Sequence, residues 1–230
     1  MTSTKLDKYN VILRTLVGSR AHKLHNDDSD RDIRGVFLAP TKELLRLNAP
    51  KITTYWQEGD TKEATDNTMW ELGHFLFMAT KCNPTILEVF KAPIEQTTDL
   101  GNSLRELFPR VWNSKGVMDA FLGYGKNQRK KFLEDKDKRP HKYATAYLRT
   151  LIQAWYLLTS GELIIDMRNF EDYNVLRRFK AGNYTYGEVI QKTHDWEDKV
   201  RIAYEHNPNK ETDIDQVNAW LLKVRKGNWD

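Results

Sequence analysis

The spacing of apolar residues changes near Trp70, and this change limits the chain to a fold with its strands first and its helices afterwards. Before Trp70, β-branched and aromatic runs bounded by turn residues predict strands over residues 9–17, 32–38, 51–57 and 61–68, the last antiparallel to the third. After it, apolar residues recur at helical intervals. We therefore expect an α+β protein, with a small mixed or antiparallel sheet, flanking helices and a C-terminal helical bundle.

Helical spacing and capping residues predict helices over residues 20–24, 41–47, 72–82, 85–90, 117–133, 142–159, 171–180, 186–207 and 213–226. Ser19 is the expected N-cap of the first of these helices. The polar stretch after Pro93 is the predicted boundary between two domains, residues 1–108 and 109–230. A chain of 230 residues has enough apolar material for one large domain or two small ones.

Gly18 and Ser19 lie where the first predicted strand ends and a short helix begins. A glycine at such a junction lets the backbone come close to a bound group, and the N–H groups of the helix start favour phosphate. Arg20 would add a positive charge beside them. The same pattern also occurs in turns that bind nothing, so both interpretations stay open.

Asp30 and Asp32 are two residues apart at the start of the second predicted strand, so their carboxylates share one face. Two neighbouring carboxylates repel each other unless a cation lies between them, and Mg²⁺ prefers such oxygen ligands. The alternative is that residues 26–30 only cap a loop. A third carboxylate should come from a neighbouring strand, where Glu63 and Asp66 both qualify and spacing does not choose between them.

The segments Gly18-Ser19-Arg20-Ala21-His22 and Asp28-Ser29-Asp30-Arg31-Asp32-Ile33-Arg34-Gly35 resemble the RNA repair pathway DNA polymerase beta family of nucleotidyltransferases. The similarity continues through Asp66, Asn83-Pro84 and Leu87-Glu88, and more loosely through His141-Lys142, Arg149 and residues 159–163. It selects Asp66 over Glu63. The chain departs from the family pattern at Lys23, where the family usually has glycine.

The resemblance implies a polymerase-beta-like nucleotidyltransferase that moves a nucleoside monophosphate from an NTP to an acceptor hydroxyl. By it, Gly18 and Ser19 hold the triphosphate, Asp30 and Asp32 bind Mg²⁺ or Mn²⁺, and Asp66 completes this metal-binding and catalytic set. The sheet would then be the nucleotidyltransferase core, and the helical half would clamp substrate and nucleotide.

The spacing of three further residues makes them candidates for contact with the nucleotide. Arg34 shares a strand face with Asp32, so it either meets phosphate or pairs with a carboxylate. Lys142 and Arg149 are seven residues apart on one helix face, so they either close on the triphosphate with Arg20 or lie in solvent.

Charge and composition indicate which kinds of partner and which compartment to expect. The net charge of +4 and the basic run Lys126 to Lys131 favour RNA over a protein as the acceptor. A single cysteine, Cys82, excludes an internal disulfide, so we expect a cytoplasmic protein. The first residues have no apolar core of a signal peptide and no segment is long enough to cross a membrane, so no membrane partner is expected.

Two other functions remain open on the sequence. The first is a catalytically silent nucleotide-binding regulator or antitoxin-like partner with the same fold. The second is a metal-dependent phosphohydrolase that uses His22, His25, Asp30 and Asp32 and releases free phosphate.

Overall fold

A computed structural model describes residues 9–27, 29–58 and 65–230 of the chain. Within these ranges five strands form one sheet in the order β3-β4-β2-β1-β5. They are β1 (Asn10–Val17), β2 (Arg31–Leu38), β3 (Thr53–Glu58), β4 (Thr65–Glu71) and β5 (Ile94–Thr97). Only the β2–β4 pair is parallel among these strands, and the other three pairs are antiparallel. The expected α+β class with a small mixed sheet is confirmed.

The helices surround this sheet and fill the second half of the chain. They are α1 (Gly18–Ala21), α2 (Thr41–Leu44), α3 (Leu72–Thr80), α4 (Pro84–Lys91), α5 (Asp99–Glu106), α6 (Ser114–Leu133), α7 (Pro140–Ser160), α8 (Tyr173–Lys180), α9 (Tyr186–His206) and α10 (Ile214–Gly227). The starts and stops follow local chemistry. The Asn83 side chain accepts a hydrogen bond from the Thr85 N–H where α4 begins, and α7 ends at Gly161 in the left-handed conformation.

Two predictions about local structure need correction, and a third concerns residues outside the described ranges. The expected N-cap role of Ser19 is wrong, because α1 begins two residues earlier than predicted, at Gly18, with Val17 in the cap position. The polar stretch after Pro93 contains β5 and α5, where we predicted neither a strand nor a helix. The beginning of the predicted fourth strand, residues 61–64, lies outside the described residues.

The two faces of the sheet carry different side chains because residues alternate along each strand. One face bears Ile33, Phe37 and Met69, which belong to a small apolar cluster under the sheet. The other bears Val36 and Trp70, which join the main core shared with the helices. The side chains of residues 32, 34, 66 and 68 follow the pattern of this second face, so they point toward the helical side beyond the edge of the core.

The helical half packs around α7, which contacts α6, α8 and α9. The last helix, α10, returns to the sheet, where Arg225 pairs with the buried Glu71 on β4 through an N–O distance of 2.7 Å. One apolar core therefore extends from Ile12 on β1 to Val217 on α10. The division into domains at residues 108 and 109 stays a prediction.

None of the helices within the described residues combines the length and the apolar character that a membrane span requires.

Candidate active site

Asp32 and Asp66 are direct neighbours on the parallel strands β2 and β4. Burial raises the pKa of Asp32, and the nearby carboxylates of Asp66 and Asp30 raise it further, while Arg34 and Lys142 oppose the shift. Because Asp30 and Asp66 both act on Asp32, the three aspartates selected from the sequence lie in one region. Asp66 is exposed, and its Oδ1 accepts a hydrogen bond of 2.7 Å from Gln57 Nε2 on β3.

The arrangement of these aspartates suits a divalent cation without forming a closed cage. Within residues 9–27, 29–58 and 65–230, no three His, Cys, Asp or Glu side chains are grouped closely enough to hold a metal ion by themselves. Mg²⁺ commonly keeps several waters and takes only one or two carboxylates together with substrate phosphates. The oxygen donors of Asp32 and Asp66, on adjacent strands, fit that requirement. Glu63, the alternative third acid, lies outside the described residues.

Gly18 brings the backbone against Asp32 at the end of β1. It adopts φ +70°, and a Cβ atom at this position would lie 2.4 Å from Asp32 Oδ2. Any other residue would therefore push the Asp32 carboxylate aside. The Gly18 N–H donates to Glu88 Oε1 over 3.1 Å, so it is not free for a phosphate as the sequence suggested.

A cavity of about 420 Å³ opens between this edge of the sheet and the helical half. Its volume falls within the range of small-molecule sites, roughly 300–1,000 Å³. The sheet side and the α1 turn supply Gly18, Ser19, Asp30, Asp32 and Arg34 to the lining. The structure thus brings five of the predicted site residues to one cavity.

The opposite wall of the cavity is cationic. The helical half contributes the cations Arg139, Lys142, Arg149 and Lys180 to the lining, together with His141, whose pKa is lowered by burial and by the neighbouring cations. Burial lowers the pKa of Lys180, and the nearby Lys142 lowers it further, while Asp30 opposes the shift. Like charges gathered and partly desolvated in this way are stabilised by a bound polyanion.

Lys180 is a site residue that the sequence did not reveal. It is the last residue of α8 and reaches the cavity because α8 packs against α7. No local motif marks it, and only the contact between these helices places it beside Lys142. By contrast, Lys142 and Arg149 reach the cavity from the helix face that their spacing predicts.

Two basic residues considered from the sequence have other roles in the structure. Arg20 is not part of the cavity lining in the described residues, and its guanidinium donates twice to the Ser29 carbonyl, over 2.8 and 3.1 Å. It therefore orders the loop that leads to Asp30. The ring of His22 has Nδ1 2.9 Å from the Ile165 carbonyl and Nε2 3.0 Å from Glu88 Oε1. Both ring nitrogens thus face groups of the protein itself, which does not favour His22 as a metal ligand in the phosphohydrolase hypothesis.

Glu88, on α4, is a buried carboxylate in the lining of this cavity, with 7% of its side chain exposed. Burial alone would raise its pKa, but His22, Arg34 and Arg149 outweigh burial and hold the pKa well below its usual range. Glu88 is thus ionised, and its surroundings are built for the charged form. The sequence marked this residue as part of the resemblance without giving it a role.

A second cavity of about 420 Å³ adjoins the first along the sheet. Asp32 and Arg34 line both cavities, whereas Asp66, Tyr55 and Gln57 line only the second. Among its lining residues in the described part of the chain, Arg34 is the single cation. The two cavities therefore meet at Asp32 and differ in charge.

The departure at Lys23 has a backbone explanation. Lys23 has φ 59°, in the left-handed region that glycine adopts without strain. Its carbonyl accepts a 2.8 Å hydrogen bond from the Tyr173 hydroxyl, which helps to fix this turn against the helical half. Glycine would adopt this backbone conformation without strain, whereas lysine adopts it at a cost in free energy.

The site therefore combines a small mixed sheet, neighbouring carboxylates on two of its adjacent strands, a glycine turn against them and a cationic helical wall. The profile of the RNA repair pathway DNA polymerase beta family matches residues 2–178, and the chain belongs to this family. The resemblance noted from the sequence is confirmed.

Individual relatives are distant. A protein of Enterobacteria phage T4, described as an uncharacterized 38.9 kDa protein in the nrdC-mobD intergenic region, is 22% identical over 130 residues. The match covers 53% of this chain and 38% of the phage protein, so the chain corresponds to well under half of that relative. A solved nucleotidyltransferase-like protein from Exiguobacterium sibiricum 255-15 aligns with 96% of this chain and 75% of its own, at 9% identity and a TM-score of 0.31.

Proposed function

We propose that the protein is a divalent-metal-dependent nucleotidyltransferase that moves a nucleoside monophosphate from an NTP to an acceptor hydroxyl and releases pyrophosphate. The observation that carries this proposal is the pairing of Asp32 with Asp66 beside Gly18, at the edge of a cavity with a cationic far wall. Membership of a polymerase beta family supports the same reaction type.

The charge of the two cavities suggests how the substrates divide between them. The triphosphate suits the first cavity, where Lys142, Arg149 and Lys180 face it and Ser19 lies at the sheet side. The acceptor suits the second cavity, which contains Asp66 and has few cations to compete for phosphate. Asp32, which lines both, would lie at the reacting centre.

In the proposed reaction the acceptor oxygen forms a bond to the α-phosphorus while the bond from that phosphorus to the bridging oxygen of the β-phosphate breaks. The hydroxyl proton passes to the Asp66 carboxylate, and pyrophosphate leaves. Mg²⁺ or Mn²⁺, when bound by the aspartates, would neutralise charge on the phosphates. The protein residues hold the reactants close together, which is the main contribution expected for this kind of transfer.

An RNA end is the proposed acceptor. The exposed residues Lys126, Arg129 and Lys130 on α6 give the helical half a basic face, and the net charge of the chain is positive. Tyr55, with 75% of its surface exposed, lines the second cavity and offers a ring on which a base can stack. A protein hydroxyl is the alternative outcome of the test below. We place the reaction in the cytoplasm, which suits a chain with one cysteine.

The test incubates the protein with each α-labelled NTP, Mg²⁺ or Mn²⁺, and total RNA or cell lysate. We expect label in RNA and release of pyrophosphate, both abolished by Asp32→Asn. The matched control is Asp119→Asn, which removes an exposed carboxylate whose one ion-pair partner among the described residues is Lys115 on α6. Nucleotide binding without pyrophosphate would indicate the silent regulator, and free phosphate would indicate a hydrolase.

A further inference from the structure

Glu88 is a charged group placed where charge is costly, and its partners show what it holds in place. Ionised carboxylates in apolar surroundings persist when ion pairs and hydrogen bonds compensate them. The neighbours of Glu88 along α4 are the buried Leu87 and Val89. Its compensation comes instead from three residues of the site region, which are Gly18 at the start of α1, His22 at the end of α1 and Arg34 on β2.

These partners divide between the two carboxylate oxygens. Oε1 accepts from the Gly18 N–H over 3.1 Å and lies 3.0 Å from His22 Nε2, and Oε2 lies 3.3 Å from Arg34 Nη1. Gly18 and Arg34 both line the first cavity; the Gly18 turn lies against the Asp32 carboxylate, and Arg34 is two residues further along β2. Glu88 thus contacts the two groups that flank Asp32.

The contact with Arg34 has a specific consequence for Asp32. Arg34 is two residues beyond Asp32 on the same strand face, close enough for its positive charge to act on the Asp32 carboxylate. Among the ion pairs of the described residues, Arg34 is paired with Glu88, and none joins Arg34 to Asp32. A guanidinium that turned from Glu88 to Asp32 would occupy the oxygens that a divalent cation needs.

We propose that Glu88 is a positioning residue that draws the Arg34 guanidinium away from Asp32, so that the Asp32 carboxylate stays open to a divalent cation. The same residue holds the Gly18 turn against Asp32 through the Gly18 N–H. This inference rests on the proposed function in one respect, that Asp32 binds a divalent cation. It does not require that nucleotidyl transfer occurs.

The substitution Glu88→Gln separates this role from simple loss of packing. Glutamine keeps the size of the side chain and can still accept from the Gly18 N–H. Its amide nitrogen would then face Arg34, and two donors cannot pair. We expect Arg34, without this partner, to turn to the Asp32 carboxylate, on which its charge already acts.

Binding of Mn²⁺ to the full chain is measured through the EPR signal of free Mn²⁺. No nucleotide is added, so turnover does not affect the result. We expect Glu88→Gln to weaken the Asp32-dependent binding about tenfold or more. In the Arg34→Gln background, where no guanidinium can occupy Asp32, Glu88→Gln should change the affinity less than about twofold.

Glu71→Gln is the matched control for stability. Glu71 is also a buried glutamate that accepts from a glycine N–H, that of Gly73, and pairs with an arginine, Arg225. It has no place in the lining of either cavity. We expect both glutamine variants to lower the melting temperature, and Glu71→Gln to leave Mn²⁺ binding unchanged.

Three results would overturn the inference. The first is wild-type Mn²⁺ affinity in Glu88→Gln, and the second is an equal loss of affinity with and without Arg34. The third is that Asp32→Asn removes no Mn²⁺ binding from the wild-type protein. A chain that binds Mn²⁺ and shows the Arg34-dependent loss, but transfers no labelled nucleotide, would instead contradict the proposed function alone. Transfer of label without the Arg34 dependence would contradict only the role of Glu88.

Discussion

At the scale of single residues, the turn after α1 contains a strained backbone conformation. Lys23 holds the left-handed conformation, which costs a residue with a Cβ roughly 1–2 kcal/mol. Its neighbours fix the turn, because the His22 carbonyl accepts from the Met167 N–H and the Lys23 carbonyl accepts from Tyr173. The strain is therefore held by contacts with the helical half.

We expect Lys23→Gly to stabilise the protein by about 0.5–1 kcal/mol, since relief of strain exceeds the added entropy of the unfolded glycine. Urea unfolding of the wild type and the variant measures the difference. Lys23→Ala is the control, because it removes the same side chain and keeps the strained backbone. Equal stabilisation by alanine and glycine would show that the lysine side chain, not its backbone, is unfavourable.

At the scale of secondary-structure elements, the sequence predicted those that bury an apolar face. The helix observed as α7 was predicted because Leu148, Leu151 and Ile152 recur on a buried face. The strand β5 was missed because its first three residues are exposed and give no apolar alternation. Only backbone pairing with β1 makes it a strand.

The same limit applies to the site. Asp30 and Asp32 could be paired from their spacing, but Asp66 could be chosen only through the family resemblance. The parallel pairing of β2 with β4, which sets Asp66 opposite Asp32, is a long-range contact that no local pattern encodes. Lys180 and the role of Glu88 depend on how α8 and α4 pack, and therefore became visible only in the structure.

The placement of α8 gives a prediction for Lys180. We expect Lys180→Ala to raise the dissociation constant of a non-hydrolysable NTP analogue roughly tenfold, because a charge-assisted contact to phosphate is lost. Isothermal titration calorimetry measures this constant. Lys223→Ala, which removes an exposed lysine from α10, is the control and should bind as the wild type does. Equal affinity in both variants would place Lys180 outside the phosphate site.

At the scale of the whole molecule, α10 ties the end of the chain to the sheet. The Thr41 N–H donates to the Asn228 carbonyl over 2.8 Å, and the Thr41 hydroxyl donates to the Arg225 carbonyl over 2.8 Å. Arg225 reaches Glu71, which has 3% of its side chain exposed. One partner in each of these contacts, Arg225 or Asn228, lies beyond residue 178, where the family match ends, so this closure depends on a part of the chain outside the matched region.

The ion pair of Arg225 with Glu71 should therefore affect the stability of the whole fold and leave the residues of the candidate active site unchanged. Arg225→Met leaves the buried Glu71 charge unpaired, so we expect the free energy of unfolding to fall by about 3–5 kcal/mol. Adding Glu71→Gln removes that charge and keeps an acceptor for the Gly73 N–H, so the double variant should regain much of the loss. Chemical denaturation of the three proteins measures both effects. If the double variant were no more stable than Arg225→Met alone, the loss would come from the missing packing of α10, and the buried charge would not be its cause.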